Sequence, residues 1–351
     1  MNNKKVNTIF LSGFSQGGTS LLLSLLDGHS ELSVYPEELQ WDRIIYRYDN
    51  YVSTNHMIID WLLGLPGIIH PVDEEILVGS KKSLHWPAVD SKYSKRMGID
   101  YIRKKLMRHI STNKLRGLEN SGSFDHKKFF TTYYECITEK IKAGAIRKPI
   151  DTVKAEFDAI ERFVMKKNIK YRVFKNPMTE VKEERLKLFQ TYFPDGIMIF
   201  IFRNPYARFS SMINSGKLKR RGLLINPSIF LRLCRSNANS WSELMKIVKY
   251  NNVIMIGYED LVREPGKTIK QVCKNINIPF EPILVNPTKM GHTVDVPTAR
   301  VHAKNKISTE SLYKWKKKLT MIEKMVFFLV MSVTLNATPS IICKRIYNDH
   351  K

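Results

Sequence analysis

The chain has 351 residues, of which 43% are hydrophobic and 26% charged: apolar material enough for one large α/β domain or two smaller ones. Fifty-seven Lys and Arg against 33 Asp and Glu leave a formal net charge of +24, scattered in short runs such as Lys81-Lys82 and Lys316-Lys317-Lys318. This dispersal, with no nucleic-acid motif, argues against a specific nucleic-acid binder and leaves a small polyanion, an anionic surface or a solvated lysine-rich exterior. Cys136, Cys234, Cys273 and Cys343 stand far apart, which argues against a zinc site or a disulfide framework and fits a reducing compartment.

The apolar run from Thr8 to Leu11 reads as a strand, and Ser12-Gly13-Phe14-Ser15-Gln16-Gly17-Gly18-Thr19-Ser20-Leu21-Leu22 as a glycine-bearing turn opening a helix. The spacing Gly13-x4-Gly18-Thr19-Ser20 is that of a Walker A loop, with Thr19 where the phosphate-gripping lysine would stand. Backbone N–H groups at such a helix start favour an anion, so a nucleotide phosphate is expected there. The missing lysine counts against Mg-ATP hydrolysis or a kinase. The helix runs from Gly18 to Asp27 and stops at Gly28. The apolar start is too short for a signal peptide or anchor, and a cytoplasmic location is expected.

From Leu39 to Pro149 strand alternation lapses, and aromatic and basic residues recur at helical spacing, as in Tyr101–His109 and Phe129–Lys142. We expect a helical insertion or lid over 39–150 within a single domain spanning 1–351. A helix over Asp151–Asn168 then leads to a short strand, Tyr171–Phe174, ending in Lys175-Asn176-Pro177, and a helix over Thr179–Phe193 follows. Ile197–Phe202 is apolar on both faces, as a central parallel strand must be, and ends in Arg203-Asn204-Pro205. A helix over Pro227–Tyr250 precedes the strand Val253–Ile256, which ends in Gly257-Tyr258-Glu259-Asp260. A basic loop, Ala299–Lys306, follows. The apolar stretch Met325–Leu335 is too short to span a bilayer and reads as a buried terminal helix, in preference to a peripheral membrane contact through 316–335.

Strands alternating with helices imply a three-layer α/β fold, a central, mainly parallel sheet flanked by helices, with ligands collecting at the carboxyl ends of the strands.

On the phosphate loop Gln16-Gly17-Gly18-Thr19-Ser20-Leu21 with Leu22–Leu26 and His29-Ser30, and on Arg203-Asn204-Pro205 with Ser211 eight residues beyond the arginine, the chain resembles the PAPS-dependent sulfotransferase family. Tyr258-Glu259-Asp260-Leu261-Val262 followed by Ile278-Pro279-Phe280 is a weaker match. The family moves a sulfuryl group from 3′-phosphoadenosine 5′-phosphosulfate (PAPS) to a hydroxyl or amine, on a P-loop-like fold. The resemblance implies PAPS as co-substrate and no metal. It implies that Ser15, Gln16, Gly17, Gly18, Thr19, Ser20 and Leu21 hold the 5′ group, that Arg203 and Ser211 hold the 3′-phosphate, that Tyr258 packs on the adenine, and that Lys306 closes over the 3′-phosphate.

The layout is similar to the tyrosylprotein branch and its bacterial relatives. That implies a general base in the Glu37-Glu38 pair, with Glu38 preferred, and Lys175 at the leaving group. Gln16 stands where most members carry Lys or Arg, which weakens charge stabilisation there unless Lys175 compensates. The acceptor is left open among a saccharide, a lipid-linked glycan, a small alcohol or phenol and a peptide tyrosine. Its pocket is expected from Leu39–Pro149 and Lys217–Pro227, where Trp41, Tyr46, Tyr48, Trp61 and Trp86 are candidates for stacking. The alternative is a P-loop-type small-molecule kinase or phosphotransferase.

Overall fold

The structure is a computed structural model of the whole chain, and the residues described are 6–39, 41–42, 115, 118, 121–176, 182–214, 222–293 and 307–337. The chain divides into two compact units, one made of residues 1–34 and 170–351, the other of 35–169. The first unit opens with β1 (Asn7–Gly13), α1 (Thr19–Leu26) and the start of β2 (Leu32–Glu38). The chain then forms α2 (His126–Lys142) and α3 (Pro149–Val164) of the second unit. It returns with β3 (Tyr171–Lys175), α4 (Glu183–Tyr192), β4 (Ile197–Phe202), α5 (Pro205–Asn214), α6 (Pro227–Ile247) and β5 (Val253–Gly257). Two further helices, α7 (Tyr258–Arg263) and α8 (Pro265–Asn275), lead to a small hairpin of β6 (Thr288–Lys289) and β7 (His292–Thr293). A 3-10 turn at Thr309–Leu312, α9 (Lys314–Lys318) and α10 (Met321–Leu335) close the described chain.

The five-stranded sheet has the order β2-β3-β1-β4-β5, and β1 is parallel to both β3 and β4, as β4 is to β5. Residue alternation sorts the core into two layers of different composition. Ile9 and Leu11 of β1 and Ile199 and Ile201 of β4 join the leucines of α1 and Ile269 and Val272 of α8 in an aliphatic layer. The intervening Phe10 and Phe200, and Phe202 at the end of β4, are aromatic. Phe10 stacks on Phe174 and meets Phe189 of α4, while Phe200 meets Phe14 and Phe202 meets Trp241 of α6. A strand apolar on both faces is thus covered on both, which is the expected α/β layering.

Two elements depart from the sequence reading. β2 has no counterpart in the sequence reading, and Pro36 lies inside it without the N–H a strand interior needs. The sheet order puts β2 at an edge, where proline is tolerated. The terminal helix is not buried as expected. Only Glu323, Phe327 and Met331 of α10 are buried, Phe327 stacking on Phe209 of α5 at 4.3 Å between centroids, while Met321, Ile322, Met325, Phe328, Leu329 and Val333 are exposed. No helix among the described residues is long and apolar enough to cross a membrane.

In the second unit α2 packs on α3, and Tyr35, Tyr133 and Phe157 are buried together. The hydroxyls of Tyr35 and Tyr133 lie 3.5 Å apart. Burial and the carboxylate of Glu156 push both phenols well above their usual range.

Candidate active site

The first unit gathers the expected phosphate loop at the carboxyl end of β1. β1 closes on β4 so tightly that a Cβ on Gly13 would stand 2.5 Å from the carbonyl oxygen of Ile201. Phe14 anchors the loop from below, against Trp241 at 5.1 Å and under the Arg208 guanidinium at 4.2 Å. Arg208 is itself fully buried and donates to Asn237 Oδ1. The turn is fastened where Gly17 N donates to Phe14 O over 2.8 Å, and Gln16 adopts the left-handed region with φ 65°. Gly18, at φ 106°, is the N-cap of α1 and offers no side chain to its amides, and the first turn of α1 holds no acid. N–H groups there have no carbonyl within the helix, so the turn presents bare donors at the positive end of a helix dipole.

Two cations reach this turn. Lys175, the last residue of β3 and buried, donates from Nζ to Ser20 Oγ at 2.7 Å. Arg203 follows β4. Asn204 caps α5, its Oδ1 accepting from Tyr206 N at 3.0 Å and Ala207 N at 3.2 Å, and Pro205 is the first residue of that helix. This cap turns Arg203 toward the loop. Its Nη1 donates to Gln16 O at 3.2 Å, its Nη2 to Ser311 O at 2.8 Å, and its guanidinium lies 4.5 Å from the Tyr258 ring centroid. The hydroxyls of Tyr258 and Ser311 are 2.9 Å apart. Arg203 is 9% exposed, and its Nε is buried with no hydrogen-bond partner.

Glu259 completes the support, accepting at Oε1 from Asn204 N over 3.0 Å. Burial raises its pKa above the ordinary glutamate value, partly offset by this bond. Behind α1, His29 is fully buried, with Nδ1 accepting from Glu31 N at 3.0 Å and Nε2 lying 2.8 Å from Pro279 O. The first contact makes Nδ1 the acceptor, so Nε2 carries the proton and donates.

Of the residues read from sequence, Gln16, Gly18, Ser20, Lys175, Arg203 and Tyr258 converge here. Ser211 is half-buried on α5. Glu37 and Glu38 end β2 and fall in the second unit, Glu37 buried and Glu38 partly so. Lys306 lies outside the described residues, as do Tyr46, Tyr48, Trp61 and Trp86, while Trp41 is fully buried. Sequence reasoning missed three supports. Glu259 was visible within a strand-end motif but had no assigned task; Arg208 had its spacing of five from Arg203 as a signal; Ser311 had none, because only the fold brings it to Arg203.

A buried Nε donor, the amides that open α1 and two cationic side chains meet at one helix N-terminus. An aromatic ring stands beside it for a base. These donors fit a phosphoadenosine ligand.

A family model described as the sulfotransferase family matches residues 8–282. Among solved structures, the sulfotransferase domain of the olefin synthase of Synechococcus PCC 7002 is similar, at 18% identity and a TM-score of 0.52 over 95% of this chain and 96% of that one. The sulfotransferase domain of the curacin biosynthetic pathway aligns at 17% identity and a TM-score of 0.43, over 95% of this chain and 99% of that one. Sulfotransferase STF9 from Mycobacterium avium aligns at 11% identity and 0.39, over 94% and 76%. The first of these likenesses bears on the fold, a parallel five-stranded sheet with flanking helices. No curated protein matches the sequence.

Proposed function

The chain belongs to the sulfotransferase family, and from that premise we propose that it transfers the sulfuryl group of PAPS to a hydroxyl of its acceptor by an in-line displacement. PAPS supplies an activated sulfuryl group on a phosphate leaving group. The residues of this chain bind, orient and neutralise. The amides of Gly18–Ser20 and the hydroxyls of Thr19 and Ser20 hold the 5′ end, with Gly17 holding the turn in shape. Arg203 takes the 3′-phosphate with its buried Nε and forked Nη donors, together with Ser211. Tyr258 packs against the adenine.

Lys175 is the cation for the leaving oxygen. It occupies the post that Gln16, an uncharged donor, leaves open, and its hold on Ser20 supports that assignment. Glu38 removes the acceptor proton. Residue parity along β2 supports Glu38 over Glu37. Leu32 and Val34, of the same parity as Glu38, join the aliphatic layer with α1, whereas Glu37 shares the parity of Tyr35 and acts electrostatically on its phenol. The acceptor is a hydroxyl on a saccharide, a lipid-linked glycan, a small alcohol or phenol, or a peptide.

The observation that carries this reading is the junction of Arg203 with Gln16 and Tyr258, which joins the two phosphate motifs in one place. The test is thermal stabilisation by 3′-phosphoadenosine 5′-phosphate. A ligand at a hundred times its Kd stabilises by about 2.7 kcal/mol, readily seen as a rise in Tm. The rise is expected with this nucleotide, not with Mg-ATP, and is lost in Arg203→Ala. The reverse preference would make the protein a phosphotransferase. Labelled PAPS with an acceptor panel then identifies the product.

A further inference from the structure

The exposed face of α10 has no part in the site above, yet it is strongly apolar. At about 100° per residue, Met321, Ile322, Met325, Phe328, Leu329 and Val333 form one stripe, opposite the buried Glu323, Phe327 and Met331. Val333 is 81% exposed. A further pair of exposed apolar residues lies beside the start of the helix. Glu323 is buried in the first turn of α10, and its Oε1 accepts from Leu223 N at 3.1 Å, which fixes the turn before α6 against the helix start. The next two residues of that turn, Leu224 and Ile225, are 89% and 63% exposed. Glu323 also accepts at Oε2 from Thr320 N, so a capping box and the turn share one carboxylate. The presentation of apolar residues is therefore built and fixed.

Immediately before the stripe stand Lys316, Lys317 and Lys318, all exposed, with the ring of Tyr313, itself 52% exposed, under the Lys316 ammonium at 5.4 Å. A convex apolar helix face bordered by ammonium groups and an amphipathic ring is the arrangement of an interfacial helix. A protein partner would instead be met by a flatter or concave patch with Trp, Tyr and Arg at its centre. Here the centre is Met, Ile and Leu, side chains that conform to acyl chains, and a charge of +24 complements anionic headgroups.

We propose that the first unit docks on an anionic bilayer through α10 and the Leu224–Ile225 turn, with Lys316–Lys318 at the headgroups. The exposed residues of α10 take no part in the nucleotide site described above.

The test is sedimentation of the full chain with vesicles of phosphatidylcholine alone and of phosphatidylcholine with phosphatidylglycerol. Binding is expected to the second, weakening as salt shortens the Debye length. Leu224→Ser with Ile225→Ser, and separately Ile322→Ser with Met325→Ser, should each weaken it at least about tenfold, as should Lys316→Gln, Lys317→Gln and Lys318→Gln together. All these positions are exposed, so the Tm and the shift produced by 3′-phosphoadenosine 5′-phosphate should be unchanged. Failure of the full chain to sediment with anionic vesicles overturns the proposal, as does equal binding by the serine variants. A soluble dimer that these serine substitutions dissociate, with no vesicle binding, assigns the face to a second copy and overturns it also.

Discussion

The ring of Tyr258 fills the space a side chain at position 18 would need: a Cβ on Gly18 would stand 2.3 Å from Tyr258 Cδ2. Residue 18 is glycine for two reasons at once, this contact and its φ of 106°. Gly18→Ala must therefore displace either the loop or the ring that stacks on Arg203. We expect a stability loss of about 1–3 kcal/mol and at least tenfold weaker binding of 3′-phosphoadenosine 5′-phosphate, measured by thermal melts and calorimetric titration. Binding at full strength in the variant would show that Tyr258 and the loop do not act together on the nucleotide.

Lys175 is expected to matter for rate more than for affinity. Charge grows on the leaving oxygen only as the sulfuryl bond breaks, so a cation placed there stabilises the transition state selectively. Lys175→Ala should lower kcat by about a hundredfold or more, while the dissociation constant of the desulfated nucleotide moves little. Equal losses in both would assign Lys175 to nucleotide binding alone.

The parity of β2 separates its two terminal glutamates. Glu38→Gln keeps shape and removes the base, so kcat should fall by about 10²–10⁴-fold with folding intact. Glu37→Gln should leave most of the rate and act on stability, since Glu37 is the buried member of the pair and lies in the field of Tyr35. A rate lost only in the Glu37 variant would reverse the assignment.

Glu259 predicts a pH dependence of stability. Its folded pKa is raised by burial, so the folded state holds the proton more tightly than the unfolded one. The stabilisation from protonating it is complete below the ordinary glutamate value and is lost as pH rises through the raised value. Glu259→Gln keeps an oxygen for Asn204 N and carries no charge, so that decline should flatten, with equal or higher Tm at neutral pH. Melts of both proteins from pH 4 upward, roughly from the ordinary glutamate pKa, measure the difference; parallel curves would refute it.

Much of this site could be read from spacing. Gly13-x4-Gly18, the apolar run Ile197–Phe202 and the Arg203-Asn204-Pro205 ending are local signals, because turn geometry, strand burial and helix capping are local physics. β2 is unassigned in the sequence reading, and its Pro36 is compatible with a strand because the sheet order makes that strand an edge. Met325–Leu335 misled for another reason. When a helix is apolar on both sides, its hydropathy cannot say which side packs, and the buried carboxylate of Glu323 lies just outside the run. Ser311 and the Phe14–Arg208 stack were illegible for a third reason: each depends on segments that meet only when the sheet is complete.

The order β2-β3-β1-β4-β5 makes β1, synthesised before the strands it pairs with, a central strand, with Asn7 paired to Tyr171 and Ile9 to Ile197. At cellular translation speeds the ribosome takes roughly 8–40 s to deliver those partners. Until then an apolar strand and the phosphate-loop residues behind it emerge with neither edge satisfied. The nucleotide cradle is thus synthesised before its partner strands and assembled late, which leaves this stretch of nascent chain in need of protection by a chaperone.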